Sequence, residues 1–452
     1  MYDLLITGAV IVNADGIKKG SIAVKAGKVA GTLKEHETAE AVETLNIEGK
    51  YIFPGFIDCH VHFNEPGYTW RENFETGSQA AALGGVTTVV DMPMLNKPAV
   101  MDAEAFAGKL ALIEGRSAVD FGFWGALINS NMKMKKLEEL NKCGVLAFKC
   151  FMCDPGEDYT SLNDEEIHSA LSILKKFGGL AGFHCEDDEI VRRLTLNKLE
   201  NGQLSRMDYL ESRPVEAELK ATKDLIRLAE STGAKVHICH VSHPAVAEEI
   251  RLAKRRGIKI TSETCLHYLV FNEETLLEKG MLYKCSPPLR KKADSEALWS
   301  YVCDGTIDLI CSDHSPATEK EKEEGELGAF GAWGGISGVQ TTVQGLYHLV
   351  VNSRGESPCM VARLMSQRPA EIFSVYGRKG RIQEGFDADF TVIDPQVEWE
   401  ITAEDLKYKN RISAFTGLKG KGKPVLTVVR GKIVSRQGEL TGSSHGRLVT
   451  RI

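Results

Sequence analysis

The sequence predicts an α/β fold, with a (β/α)8 TIM barrel in the middle of the chain and a small β-sandwich domain built from both termini. Eight short apolar runs alternate with amphipathic helical segments between residues 53 and 372, as strands and crossovers do in a parallel sheet. Residues 1–52, 387–394 and 424–435 alternate with period 2 and are punctuated by glycine, which is typical of half-buried strands. We therefore expect a barrel domain over 53–372 and a small domain from 1–52 and 373–452.

The predicted barrel strands follow one another along the chain. They are 56–63, 86–92, 121–127, 145–151, 180–186, 236–242, 258–265 and 307–313. Two of the intervening helices, 214–230 and 244–256, begin with proline, which suits the first turn of a helix because its N–H has no partner there. A doubly wound open sheet is the alternative, but no G-x-G-x-x-G motif follows the first strand.

The composition is that of a globular protein and excludes several classes of function. Of the 452 residues, 43% are hydrophobic and 26% are charged, and the net charge of −7 provides no basic surface for nucleic acid or anionic lipid. The N-terminal segment does not resemble a signal peptide, and no apolar run is long enough to span a membrane. The 11 cysteines are odd in number and scattered, and the pair Cys150–Cys153 has no second C-x-x-C. We expect a cytoplasmic protein with reduced thiols.

Ligand-type side chains recur at the ends of several predicted strands. His60 and His62 are two residues apart on the first strand, so both imidazoles point to one face. His184, His240 and Asp313 occupy the same place on the fifth, sixth and eighth strands. Each alone is compatible with a packed core residue. Together at one barrel mouth they predict a site for Zn²⁺ or a neighbouring divalent ion.

Lys149 lies at a matching height on the fourth strand, among apolar neighbours. A charged ammonium there loses its hydration and repels metal ions. One interpretation is a buried salt bridge. The other is a lysine carboxylated by CO₂, whose anionic carbamate bridges two metal ions. The charges favour the carbamate, because a neutral lysine leaves more of the metal charge uncompensated.

Four cysteines, Cys59, Cys150, Cys185 and Cys239, each adjoin one of these ligand candidates. Strand alternation predicts that their thiols point outward, between strand and helix, where small apolar side chains belong. We therefore expect them to be packing residues and not ligands.

With these residues the chain resembles the cyclic amidohydrolases of the amidohydrolase superfamily. Motifs along essentially the whole chain carry the similarity: 54–67, 149–151, 183–186, 239–242, 286–290, 312–316, 332–338 and 385–390. The resemblance implies a barrel enzyme that opens a cyclic amide by hydrolysis, and it implies a homotetramer.

The same resemblance implies a site with two divalent metal ions. One ion would be held by His60, His62 and Asp313, the other by His184 and His240, with carboxylated Lys149 (N6-carboxylysine) between them. Such ions activate water and polarise the scissile carbonyl. Asp313 would accept a proton from the nucleophile and pass it to the leaving ring nitrogen. Zn²⁺ is the expected metal, with Mn²⁺, Co²⁺ and Fe²⁺ as alternatives.

Departures from the family's patterns favour a neutral cyclic ureide as the substrate. Dihydroorotases have an arginine two residues after the His-x-His, where this chain has Asn64 and therefore lacks that clamp for a carboxylate. Hydantoinases and dihydropyrimidinases have a tyrosine where this chain has Asp154, and an asparagine where it has a glycine within 333–335. We expect a hydantoin ring that carries a ureido arm. A hydantoinase or dihydropyrimidinase activity is the alternative, and a non-catalytic scaffold, which would lack ligands, is a third hypothesis.

Four residues are candidate contacts for such a substrate: Asn64, Ser286, His314 and Gly334. Each is equally compatible with a role in shaping a turn. The charged run 318–326 follows the eighth strand and is interpreted as an acidic binding segment or, with better support, as a solvated loop that covers the site as a lid.

Overall fold

The computed structural model describes residues 1–34, 37, 39–156, 158–442 and 444–452. The N-terminal strands are β1 (Tyr2–Asn13), β2 (Gly16–Lys25), β3 (Lys28–Leu33), β4 (Ala41–Asn46) and β5 (Tyr51–Pro54). The barrel strands are β6 (Phe56–Val61), β7 (Val86–Asp91), β8 (Asp120–Ala126), β9 (Ala147–Phe151), β10 (Leu180–His184), β11 (Lys235–Ile238), β12 (Ile260–Cys265) and β13 (Leu309–Cys311). The C-terminal strands are β14 (Phe390–Glu400), β15 (Lys419–Val429), β16 (Lys432–Arg436) and β17 (Glu439–Leu440).

The α-helices lie between the barrel strands and after the last of them. They are α1 (Phe74–Leu83), α2 (Ala103–Ile113), α3 (Met134–Cys143), α4 (Asp164–Leu174), α5 (Asp188–Glu200), α6 (Arg206–Ser212), α7 (Val215–Thr232), α8 (Pro244–Arg255), α9 (Leu266–Val270), α10 (Glu273–Lys279), α11 (Lys292–Cys303), α12 (Thr342–Tyr347), α13 (Cys359–Ala362) and α14 (Arg368–Ile372). Pro244 is the first residue of α8, as predicted, whereas Pro214 is the N-cap of α7. No helix of the described residues combines the length and the apolar character needed to cross a bilayer.

The predicted parallel barrel is confirmed. Strands β6 to β13 are hydrogen-bonded in chain order as one eight-stranded sheet, and each pairing is parallel. The backbone N–H of His62 donates to the carbonyl of His314 over 2.8 Å, which joins the first strand to the last. The residues of β6 and β7 are all buried, because helices cover the outside of the barrel and side chains fill the inside. The carboxyl ends of the eight strands therefore meet at one mouth.

The strands from the two ends of the chain form a separate, mostly antiparallel sheet, also as predicted. Its order is β17-β16-β15-β14-β5-β1-β2-β3, and β4 pairs parallel with β1. The two ends of the chain meet where β5 pairs antiparallel with β14. A core of its own, which includes Ile11, Ile22 and Phe390, lies on this sheet. All eleven cysteines of the chain are free thiols.

A buried ion network joins this sheet to the barrel. The Nζ of Lys379 lies 2.7 Å from Oδ2 of Asp120, at the start of β8, and 2.5 Å from Oδ2 of Asp389. Asp387 contributes a third carboxylate, 3.4 Å away, and Arg430 also pairs with Asp120. The side chain of Lys379 is 1% exposed. Lys379 is therefore the cation that the three carboxylates share, and Lys28, Arg378 and Arg430 add further positive charge at Asp387 and Asp120.

We expect Lys379→Met to lower the free energy of unfolding by about 3–5 kcal/mol, since it leaves the buried carboxylate of Asp389 without its cation and removes one of the cations at Asp120 and Asp387. Urea unfolding followed by circular dichroism measures the change. Lys419→Met is the matched control, because Lys419 pairs with Glu400 but is 71% exposed; its effect should stay below about 0.5 kcal/mol. Equal effects of the two substitutions would show that the network does not stabilise the contact between sheet and barrel.

Candidate metal centre and substrate cavity

His60, His62 and Asp313 form a compact set at the mouth of the barrel. The Nε2 atoms of His60 and His62 lie 3.1 Å and 3.3 Å from Oδ1 of Asp313. The two imidazoles share a face, as the spacing of two residues predicts. Burial disfavours the charged carboxylate, but the surrounding His60, His62 and His240 hold the pKa of Asp313 well below its usual range. Two ring nitrogens and a carboxylate oxygen are suitable ligands for one divalent ion.

A second set adjoins the first. Nδ1 of His184, at the end of β10, lies 3.1 Å from Nε2 of His240. The rings of His60 and His240 are 5.5 Å apart between centroids, so the two sets share one space. Burial lowers the pKa of both His184 and His240. Both rings are therefore held neutral, which is the form of imidazole that binds metal ions.

The surroundings of Lys149 show whether the two ligand sets could hold a pair of ions. Its side chain is buried, and Nζ has no hydrogen-bond partner among the residues that the structure describes. No carboxylate of those residues lies within ion-pair distance of Nζ, so the salt-bridge interpretation is not supported. The aromatic ring of Phe151 lies 5.0 Å from Nζ. A buried amine without a partner, next to four imidazoles and a carboxylate, fits a carbamate that bridges two ions.

His240 and Asp313 do not lie on strands, contrary to the prediction. β11 ends at Ile238 and β13 ends at Cys311, so each residue follows its strand by two positions. Their φ angles are +38° and +44°, in the left-handed region that residues other than glycine rarely adopt. Such backbone strain occurs where the surrounding structure imposes it, often at functional sites.

The predicted outward direction is wrong for two of the four thiols. Sγ of Cys59 lies 3.5 Å from Oε2 of Glu263, and the thiol of Cys239 lies on the same side as His60 and Lys149. The register of β6 shifts between Asp58 and Val61, and β11 ends before Cys239. Simple strand alternation therefore does not apply at either position.

Two buried glutamates that the sequence analysis missed contact the histidines. Oε1 of Glu263, on β12, lies 2.5 Å from Nδ1 of His60. Oε2 of Glu186 lies 2.6 Å from Nε2 of His184, and the guanidinium of Arg213 pairs with the same glutamate. Two features of the sequence could have indicated them. Glu263 is a carboxylate inside an otherwise buried strand, and Glu186 lies two residues after His184.

All six predicted ligands line a single cavity of about 580 Å³. Ser286 and Gly334 line it too, together with Arg71 and Trp333. A Cβ atom at position 334 would lie 3.1 Å from Oγ of Ser286, so glycine keeps this corner of the cavity open. The guanidinium of Arg71 stacks on Trp333 at 3.9 Å, and its Nη1 has no hydrogen-bond partner among the described residues. The wall of the cavity is therefore mixed, with polar groups beside an aromatic face.

Asn64 and His314, the other two candidate contacts, are fully buried and are not among the described residues that line the cavity. Nδ1 of His314 accepts a hydrogen bond from the N–H of Gly338 over 3.1 Å, and its ring packs against Phe63 and Tyr408. In this arrangement neither side chain reaches a ligand in the cavity. The left-handed turn at Asp313 directs the next side chain into the core.

Most residues of the charged run 318–326 are exposed, as expected for a solvated loop, but its centre is anchored. Nζ of Lys322 donates to the carbonyls of Trp333 and Gly335 over 3.0 Å and 2.5 Å. Oε1 of Glu321 accepts from Nε of Arg71 over 2.7 Å. A second lysine, Lys284, donates to the carbonyl of Ala329 over 2.7 Å. Burial lowers the pKa of Lys284 and of Lys322 to about 7. Glu321 lines the cavity, so the centre of the run contributes to the cavity wall.

The barrel and the residues at its mouth define a hydrolase built on an α/β barrel. The family model described as "Amidohydrolase family" matches residues 51–434. The chain belongs to the amidohydrolase family, and it is a hydrolase that acts on cyclic amides.

Similar proteins cover nearly the whole chain. A protein named "Allantoinase" from Deinococcus radiodurans is 38% identical over 99% of this chain and 98% of its own length. Another of that name, from Desulfitobacterium hafniense, is 37% identical with the same coverage. Among solved structures, the L-hydantoinase (dihydropyrimidinase) from Arthrobacter aurescens has a TM-score of 0.96 and 29% identity, with 100% of both chains covered.

Proposed function

We propose that this protein acts as an allantoinase, which hydrolyses the hydantoin ring of (S)-allantoin to allantoate in purine degradation. The observation that carries the proposal is the convergence of six ligand-type side chains on one cavity. The names of the relatives that match over the full length support the choice of substrate. Allantoin is neutral, which agrees with Asn64 at the position where a dihydroorotase has its arginine.

The donor set supports two divalent ions, with Zn²⁺ first and Mn²⁺, Co²⁺ or Fe²⁺ as alternatives. His60, His62 and Asp313 would hold one ion, and His184 and His240 the other. Nζ of Lys149 would add to CO₂ with loss of a proton, and the resulting carbamate would lie between the ions. When bound, the ions would supply the Lewis acid that polarises the scissile carbonyl and activates water.

The chain's own residues account for the remaining steps. Asp313 is deprotonated before the reaction because the neighbouring imidazoles hold its pKa low. Its carboxylate accepts the proton of the attacking water and passes it to the ring nitrogen as the amide bond breaks. Ser286, Gly334 and Arg71 line the cavity, and the Ser286 hydroxyl, the backbone at Gly334 and the Arg71 guanidinium would bind the ureido arm.

A hydantoinase or dihydropyrimidinase activity is the second candidate, and the close match to the fold of the L-hydantoinase favours it. The scaffold hypothesis expects missing ligands, whereas all six residues line the cavity. The homotetramer and the division into domains 53–372 and 1–52 with 373–452 remain proposals, which light scattering and limited proteolysis can test.

Turnover of (S)-allantoin, hydantoin and dihydrouracil by the metal-loaded protein tests the choice of substrate. We expect kcat/KM for (S)-allantoin of about 10⁴ M⁻¹s⁻¹ or more, and values at least about tenfold lower for the other two rings. Chelator-treated protein serves as the control and should be inactive with all three. Absence of allantoin turnover in a fully metal-loaded sample would contradict the proposal, and faster hydrolysis of hydantoin would favour the second candidate.

A further inference from the structure

Each pair of candidate histidine ligands contains one ring that is held by a buried carboxylate. In the first pair, Nδ1 of His60 contacts Glu263 while its Nε2 faces Asp313. In the second pair, Nε2 of His184 contacts Glu186 while its Nδ1 faces His240. The Nδ1 atoms of the other members, His62 and His240, have no hydrogen-bond partner among the described residues.

A carboxylate that accepts a hydrogen bond from one ring nitrogen determines which tautomer the imidazole adopts. The proton stays on the nitrogen next to the carboxylate, and the lone pair of the other nitrogen is left for a metal ion. His60 therefore presents Nε2 to the mouth of the barrel, and His184 presents Nδ1. The two rings use opposite nitrogens because their glutamates approach from opposite ends of the ring.

The two glutamates differ in net charge. Glu186 pairs with the guanidinium of Arg213, so that pair is neutral. Glu263 accepts hydrogen bonds from His60 and, over 3.1 Å, from Nε2 of His237, and no lysine or arginine of the described residues forms an ion pair with it. Glu263 therefore adds a negative charge beside the first ligand set, whereas Glu186 only orients its histidine.

We infer that Glu263 and Glu186 are positioning residues, each dedicated to one metal ion. Glu263 supports the ion at His60, His62 and Asp313 through orientation and charge, and Glu186 supports the ion at His184 and His240 through orientation. This inference deepens the proposed function, because it rests on the two-ion site at the mouth of the barrel.

The metal content of two variants tests directly whether each glutamate supports one of the two ions. Glu263→Gln and Glu186→Gln proteins are loaded with Zn²⁺, dialysed against a chelator that buffers free Zn²⁺, and analysed for metal per chain. We expect each variant to bind one of its two ions about 10- to 100-fold more weakly, and the weakening to be larger for Glu263→Gln. Anomalous diffraction should locate the remaining ion at His184 and His240 in Glu263→Gln, and at His60, His62 and Asp313 in Glu186→Gln.

Glu218→Gln is the matched control. Glu218 is also buried at the barrel, but it bonds Ser242 and Arg290 and none of the ligands, so this variant should retain both ions. Loss of both ions to the same extent in the two test variants, or retention of both, would overturn the inference.

The wild-type protein provides a measurement that does not depend on the folding of a variant. A crystal structure with Zn²⁺ should show His60 bound through Nε2 and His184 through Nδ1, with both glutamates still in place. The opposite ring nitrogens would overturn the inference. If Glu186→Gln fails to fold because Arg213 has lost its partner, Glu186→Gln/Arg213→Met replaces it. A wild-type protein that binds two ions but does not hydrolyse allantoin would contradict the proposed function alone.

Discussion

Replacing Asp313 with alanine is expected to lower kcat for allantoin by about 10⁴-fold, with the fold retained. Its carboxylate is the shared partner of His60 and His62, so the substitution removes an expected metal ligand together with the expected proton carrier. Steady-state kinetics and metal analysis measure the two losses, and thermal unfolding followed by circular dichroism checks the fold.

Asp313→Asn separates the role of Asp313 as a metal ligand from its role as a proton carrier. The amide oxygen remains available as a ligand but cannot take up the proton, so we expect a large loss in kcat with much of the metal retained. Asp304→Asn is the control, since Asp304 lies exposed beyond the end of α11 and should leave kcat unchanged within about twofold. Substantial residual kcat in Asp313→Asn would contradict the proton-transfer role.

Replacing Lys149 with alanine should remove bound metal and lower kcat by about 10³-fold or more, because the two proposed ions would then lack the anion proposed to lie between them. The substitution leaves a space in the buried wall beside Phe151. Acetate or propionate can occupy that space and supply a carboxylate where the carbamate would lie. We therefore expect part of the activity to return as either acid is added to the assay.

Lys149→Met is the matched control for this rescue. Its side chain fills the same space without an anion, so activity should stay low with or without the acids. Full activity of Lys149→Ala without added acid would exclude the carbamate. Equal rescue of the alanine and methionine variants would show that the acids act somewhere else in the protein.

The barrel could be predicted because its signal is local. Each strand is a short apolar run, and the alternation of strands and helices can be identified along the sequence. The spacing of His60 and His62 likewise predicts a shared face, which the structure confirms. The same local logic fails at Cys59 and Cys239, since a register shift and an early strand end change which face each thiol occupies.

Residues far apart in sequence escaped prediction. Glu263 contacts His60 across 203 positions, and Arg71 contacts Glu321 across 250. No periodicity links such pairs, because they meet only when the barrel closes and brings β6 near β12 and the segments at its mouth together. The contacts at the centre of the charged run 318–326 escaped prediction for the same reason, because nothing in its charge pattern indicates the carbonyls to which Lys322 donates.

The sequence alone therefore determined the class of fold, the order of the strands and the ligand-type residues at their carboxyl ends. Only the tertiary structure decided that Ser286 and Gly334 line the cavity while Asn64 and His314 are buried elsewhere. It also decided that Glu263 and Glu186 hold opposite nitrogens of their histidines. The physical reason is that strand and helix patterns arise from neighbours in the chain, whereas a side chain's final direction depends on turns and contacts that form only when the barrel closes.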